Sequence, residues 1–200
     1  MGDVTSCTSR MRWDVLARSA AISLVALGVY YGVTVATSGT PLVPLTGPII
    51  AAVLLAVVLI PLQAAAEEYV FRGLGPQVIL GKIGYSPARY AVVSLVFSVM
   101  FASLHGSKDL TTWLVYVALG ALFAVLTFVT GGLEAPIALH AVNNILFTVS
   151  GILRGTDLAA QQTNVRTDLS VIIQVVTMVA ATVVIALVER RKVRADDGPL

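Results

Sequence analysis

The chain has 200 residues, of which 57% are hydrophobic and only 12% charged. Soluble domains carry roughly 25% charged residues, so the composition argues against a water-facing surface and for a bilayer as solvent, where lipid-facing positions must be apolar. The net charge of +2 is small, and it forms no basic stripe of the kind that binds nucleic acid. The basic residues cluster instead beside apolar runs, at Arg10, Arg12 and Arg18, at Arg72, Lys82 and Arg89, and at Arg190, Arg191, Lys192 and Arg194. The single cysteine, Cys7, allows no internal disulfide and joins no metal-ligand cluster.

Residues 1–12 read as a disordered tail. Trp13 to Ala36 is the first apolar run, longer than the h-region of a signal peptide and therefore read as a retained span. Trp13, Tyr30 and Tyr31 read as interfacial anchors. A Pro/Gly/Thr loop covers 37–48. The second run is apolar from Ile49 to Ala66, and from Glu67 onward no Gly or Pro stops the helix before Gly73, so helical character extends to about Leu80. Ala88 to His105 is the third run, Leu110 to Thr130 the fourth, and Gly131-Gly132 a turn. Pro136 suits the first turn of a fifth helix running to about Leu153. The polar stretch 154–168, with Arg154, Asp157, Arg166 and Asp168, reads as a solvated loop before a sixth run from Leu169 to Val188.

The expected fold is an all-α polytopic transmembrane bundle of about six spans, each of about 20 residues. It forms a single membrane domain over 1–200, with a motif-bearing core at about 49–150. The positive-inside rule places both termini and the 72–89 region in the cytoplasm, and three basic clusters fit one alternating pattern with six crossings.

Ionisable groups inside apolar runs are expensive, about 2.5–3.5 kcal/mol for a central Asp, Lys or Arg, and those present are few. Glu67, Glu68 and Arg72 lie along the second helix, His105 ends the third, and His140, Asn143 and Asn144 lie in the fifth. His105 and His140 are the two histidines of the chain. Glu68 and Arg72 are four apart and share a helix face. Glu67 is rotated by about 100° from Glu68 and is free to point elsewhere. Each residue also has a plainer reading. Glu68–Arg72 alone is a structural ion pair, Glu67 an interfacial acid, and His105 a helix-end histidine in a wet loop. His140 with Asn144 is interhelical hydrogen-bond glue. Phe101 reads as packing, and Asn143 competes with Asn144 for the hydrogen-bonding role.

Three short motifs stand in order on separate hydrophobic helices: EExxxR at Glu67–Arg72, FxxxH at Phe101–His105, and HxxxN at His140–Asn144. Together they resemble the CAAX prenyl protease and bacteriocin-processing family (CPBP, or Abi) over roughly residues 49–150. The resemblance implies an all-α membrane bundle and an intramembrane endopeptidase acting on a membrane-associated protein or peptide, with C-terminal segments among the candidates. It implies Glu67 as the catalytic carboxylate, His105, His140 and Asn144 as the rest of the site, and Glu68 with Arg72 as a supporting pair. A bacterial plasma membrane is the expected location.

The chemistry is consistent with the residue types. Hydrolysis in a dry site needs a base to activate water, burial raises a carboxyl group's proton affinity, and Asn144 with a histidine offers donors for an oxyanion. Glu67 with two histidines is also a His₂Glu set of the kind that holds catalytic zinc. The lack of HExxH and of a further strong ligand favours a metal-free glutamate mechanism. No GxGD or GxSx motif suggests another class of intramembrane protease. Two alternatives remain: a non-catalytic immunity or scaffold protein of the same fold, and a small transporter, which would call for an inverted repeat that the sequence lacks.

One geometric difficulty is evident. Full crossing by the fourth span would separate His105 from His140 by roughly 30 Å. A shared site therefore requires a wet cavity holding Glu67, His105, His140 and Asn144, reached by a dipping 105–109 loop, a long second helix, or a tilted or broken fourth span.

Overall fold

The computed structural model of the chain describes residues 4–7, 10–157 and 169–196, with side chains as far as residue 190. The basic residues Arg191, Lys192 and Arg194 lie beyond the described side chains, and most of the polar stretch before the last helix lies outside the described residues.

The described residues form helices and no strand: α1 (Trp13–Thr37), α2 (Gly47–Glu68), a π-helical turn (Tyr69–Leu74), α3 (Gly75–Ile83), α4 (Pro87–Leu104), α5 (Leu110–Thr130), α6 (Glu134–Leu153) and α7 (Leu169–Asp196). Six helical stretches are long and apolar enough to cross a membrane, one of them the continuous 37-residue run Gly47–Ile83. The chain is an integral membrane protein, and the expected spans all appear.

Local chemistry sets the ends. Pro48 enters α2 in its first turn, where its missing N–H goes unused. Ser86 caps α4 by accepting from the Arg89 backbone N–H, and Asp109 caps α5 by accepting from that of Thr112. The Thr112 N–H holds the Asp109 carboxyl below its ordinary pKa. Gly131 ends α5 at φ +66°, a left-handed position that favours glycine.

Most large apolar side chains face outward, as lipid contact requires. The inner core joins four helices through Leu27, Phe123, Leu126, Leu139, Met178 and Ile185. Helix α6 is the centre of the bundle, packed against α1 and α2, with α4 paired to α5 and α7 set against α1 and α5. Gly120 allows the α4–α5 approach, since a Cβ there would come within 2.8 Å of the Ser98 Cβ.

Three expectations are corrected. The N-terminal tail is not wholly disordered. Ser6 bridges Gly132, Cys7 N–H donates to the Gly131 carbonyl, and Leu133 N–H donates to the Thr5 carbonyl. Arg12 anchors this strap, with Nε and Nη2 on the two oxygens of fully buried Glu134 at 3.1 and 2.7 Å. Arg18 likewise grips buried Glu189 through two bonds of 2.8 Å. These arginines fasten α1 to α6 and α7, because a carboxylate buried in an apolar bundle needs a paired and hydrogen-bonded cation. Arg72, counted above with the cytoplasmic basic residues of the 72–89 region, is buried in the bundle, its side chain 1% exposed. Tyr31 is buried rather than interfacial, because its hydroxyl finds partners on α6 and α7. Trp13, by contrast, is exposed.

Candidate active site

The second helix carries the carboxylates where its backbone changes. Glu67 and Glu68 end the α-helical part, and Tyr69–Leu74 follows as a π-helical turn, a form often found at functional positions. Small residues accommodate it. A Cβ on Gly75 would collide with the Phe97 ring and the Val70 carbonyl, and one on Gly73 would press on Val4 and Leu133.

Glu68 points into the protein. It is fully buried, accepts from Arg72 Nη1 at 3.1 Å, and accepts from His140 Nδ1 at 2.8 Å. The Arg72 guanidinium lies over the Phe101 ring at 4.3 Å and near Phe123 at 5.3 Å, so aromatic faces replace part of its lost hydration. With Nδ1–H committed to Glu68, His140 has Nε2 left for chemistry.

Glu67 points the other way, into a cavity of about 500 Å³ that His105, Asn143, Asn144 and Gln174 also line. Its Oε1 accepts from Gln63 Nε2 at 2.7 Å. Its Oε2 is buried with no hydrogen-bond partner, and lies 3.7 Å from His140 Nε2. His140 itself is stacked on Phe123 with ring centroids 5.0 Å apart, and is buried behind the cavity lining, where this nitrogen meets Glu67.

His105 is the C-cap of α4. Its Nδ1 lies 2.7 Å from the Phe101 carbonyl oxygen, so Nδ1–H donates there and Nε2 is left for the cavity. The ring stacks on Tyr116 at 4.2 Å. Phe101 is packing, as expected, and both imidazoles stand against it at 4.4 and 6.0 Å.

The expected separation of roughly 30 Å does not arise. His105 is level with Tyr116 on α5, and His140 with Phe123. Seven residues of helix rise by only about 10 Å. The second helix does run long, while α5 itself is unbroken.

Both asparagines take part. Asn143 Oδ1 accepts from Tyr31 at 3.3 Å and from Gln174 at 2.9 Å, and Asn143 Nδ2 donates to Asn144 Oδ1 at 3.1 Å. Glu67, His105 and Asn144 thus share one cavity, whereas His140, expected in it too, does not line it and joins the site through its approach to Glu67. Among the described residues no three His, Cys, Asp or Glu side chains group closely enough to hold a metal ion. The His₂Glu set read from the sequence is therefore not assembled. Gln63, Tyr31 and Gln174 escaped the sequence reading. Gln63 was discoverable, being four residues before Glu67 on one face, whereas Tyr31 and Gln174 gave no local signal.

No curated protein and no solved structure matches the chain. Residues 47–146, half of the chain, do match a family model, and this segment contains all three motifs and each of Glu67, His105, His140 and Asn144. The protein belongs to the family described as type II CAAX prenyl endopeptidase Rce1-like.

Proposed function

We propose that the protein is an intramembrane endopeptidase that hydrolyses a peptide bond in a membrane-associated protein or peptide, using water activated by Glu67. The observation that carries this reading is the approach of Glu67 Oε2, which has no hydrogen-bond partner, to His140 Nε2 at 3.7 Å on an acid that lines the cavity, while Glu68 holds the other histidine nitrogen. A water lodged between these two atoms donates one hydrogen to each. Glu67 takes a proton as the water oxygen adds to the substrate carbonyl carbon. Asn144 Nδ2 is the donor suited to the oxyanion, and His105 Nε2 would add a second only in the doubly protonated imidazole. Collapse breaks the C–N bond, and the proton held by Glu67 passes to the leaving amine. No step runs through a metal.

The test is cleavage of a quenched peptide library by detergent-purified protein, comparing wild type, Glu67→Ala and His140→Ala, with and without chelator. Loss in both variants and indifference to chelator is the expected result. Chelator-sensitive cleavage overturns the metal-free mechanism. Cleavage that survives both substitutions overturns the site. Folded wild type that cleaves nothing shifts the reading to a non-catalytic immunity or scaffold protein of the same fold.

The basic clusters support an orientation with both termini cytoplasmic, and the short chain with its lean loops fits a bacterial plasma membrane. The chain's one cysteine, the exposed Cys7, reports this directly. A membrane-impermeant maleimide should label it in inside-out vesicles and leave it unlabelled in intact cells.

A further inference from the structure

The site depends on more than the helices that carry the motifs. Tyr31 on α1 and Gln174 on α7 lie outside the family-matched segment 47–146, yet both meet at Asn143. Gln174 Nε2 donates to the Tyr31 hydroxyl at 2.8 Å and to Asn143 Oδ1 at 2.9 Å. The Tyr31 hydroxyl donates to the same Oδ1 at 3.3 Å. With its oxygen held by two donors, Asn143 turns Nδ2 toward Asn144 Oδ1, at 3.1 Å. Asn144 lines the cavity, and with its oxygen occupied the group left for the cavity is Nδ2, a donor.

We infer that Tyr31, Gln174 and Asn143 form a positioning relay that orients the Asn144 carboxamide with its N–H₂ toward the developing oxyanion. This deepens the endopeptidase reading and rests on it. A chain of amides has a polarity. Turning all of them over keeps every bond but presents Asn144 Oδ1, an acceptor, where an oxyanion requires a donor. The relay selects the productive polarity before substrate arrives, which is what makes an oxyanion donor effective. Tyr31 suits this role because its hydroxyl is held on a rigid ring that is itself buried within the α1–α5–α6–α7 core.

The experiment is a double-mutant cycle on Glu67-dependent cleavage. Tyr31→Phe removes a single hydroxyl and should lower kcat about tenfold with KM unchanged. In an Asn144→Ala background the same substitution should lower kcat no further, since the group it orients is gone. Gln174→Glu, whose ionised side chain only accepts, forces the reverse polarity. It should lose about a hundredfold in kcat and weaken binding of a phosphinate peptide, a tetrahedral mimic, by a similar factor. Independent, additive losses for Tyr31→Phe and Asn144→Ala overturn the relay, as does a Gln174→Glu variant of wild-type kcat. A wild type without Glu67-dependent cleavage removes the endopeptidase reading and the relay together. Glu67-dependent cleavage with additive losses removes the relay alone.

Discussion

Glu67 and Glu68 are neighbours in the chain and opposites in surroundings. On the packed side of α2, Glu68 is 0% exposed and held by Arg72 and His140. On the cavity side, Glu67 is 25% exposed, held at one oxygen by Gln63 and left unpartnered at the other. One turn angle of about 100° separates a carboxylate whose charge is consumed by structure from one whose charge remains available. A bundle in lipid tolerates a buried acid only when it is paired and hydrogen-bonded, so the acid that borders the cavity and is tied to no guanidinium is the one suited to chemistry.

The sharpest way to break this contrast is Glu67→Gln. It should lower cleavage by about 10²–10⁴-fold, the range for losing a general base, while the unfolding midpoint in mixed detergent micelles stays near wild type. A large drop in that midpoint would mean that Glu67 is structural after all. Glu68→Ala should do the reverse at first measurement, destabilising the protein by about 3–5 kcal/mol because Arg72 is left buried without its counter-charge.

Replacing the pair separates its two duties. Glu68→Leu combined with Arg72→Met should restore stability to within about 1 kcal/mol of wild type, since apolar isosteres often substitute for a buried ion pair without loss. Activity should still stay about 10–100-fold low, the usual effect of removing the group that orients a functional histidine. Full activity in that double variant would deny Glu68 any role in orienting His140. The smallest expected effect is that of Gln63→Leu, about tenfold in kcat, because a hydrogen bond to a charged group contributes about 1.5–3 kcal/mol and water can partly replace it.

The helices were legible in the sequence because lipid imposes a strong and local signal. Leu110–Thr130 is the fourth apolar run and also α5. The motif residues were legible because ionisable groups are rare in such runs. What stayed hidden was which distant partner each polar group finds. Tyr31 resembled an interfacial anchor, as tyrosines near span ends commonly are, but its partner Asn143 lies 112 residues away. Arg12 and Arg18 read as topological charges, and no local pattern announced Glu134 and Glu189 as their counter-ions. The rough depth argument for His105 and His140 failed because it assigned each histidine to a membrane edge. Side-chain stacking on α5 sets both near the middle of that helix instead.

The uninterrupted Gly47–Ile83 run has a consequence for the lipids. Its 37 residues extend for about 55 Å at helical rise, against a hydrocarbon thickness of about 30 Å. The element must lie oblique to the bilayer or overhang the headgroups. Exposed Val78, Ile79 and Ile83 near its far end carry apolar surface toward that boundary. The lipid beside α2 and α3 and the tilt of the element must accommodate this length between them, in a balance that depends on acyl-chain length. Bilayer thickness becomes a control variable acting on the helix that bears Glu67, one that reconstitution into short-chain and long-chain vesicles varies without altering a single residue.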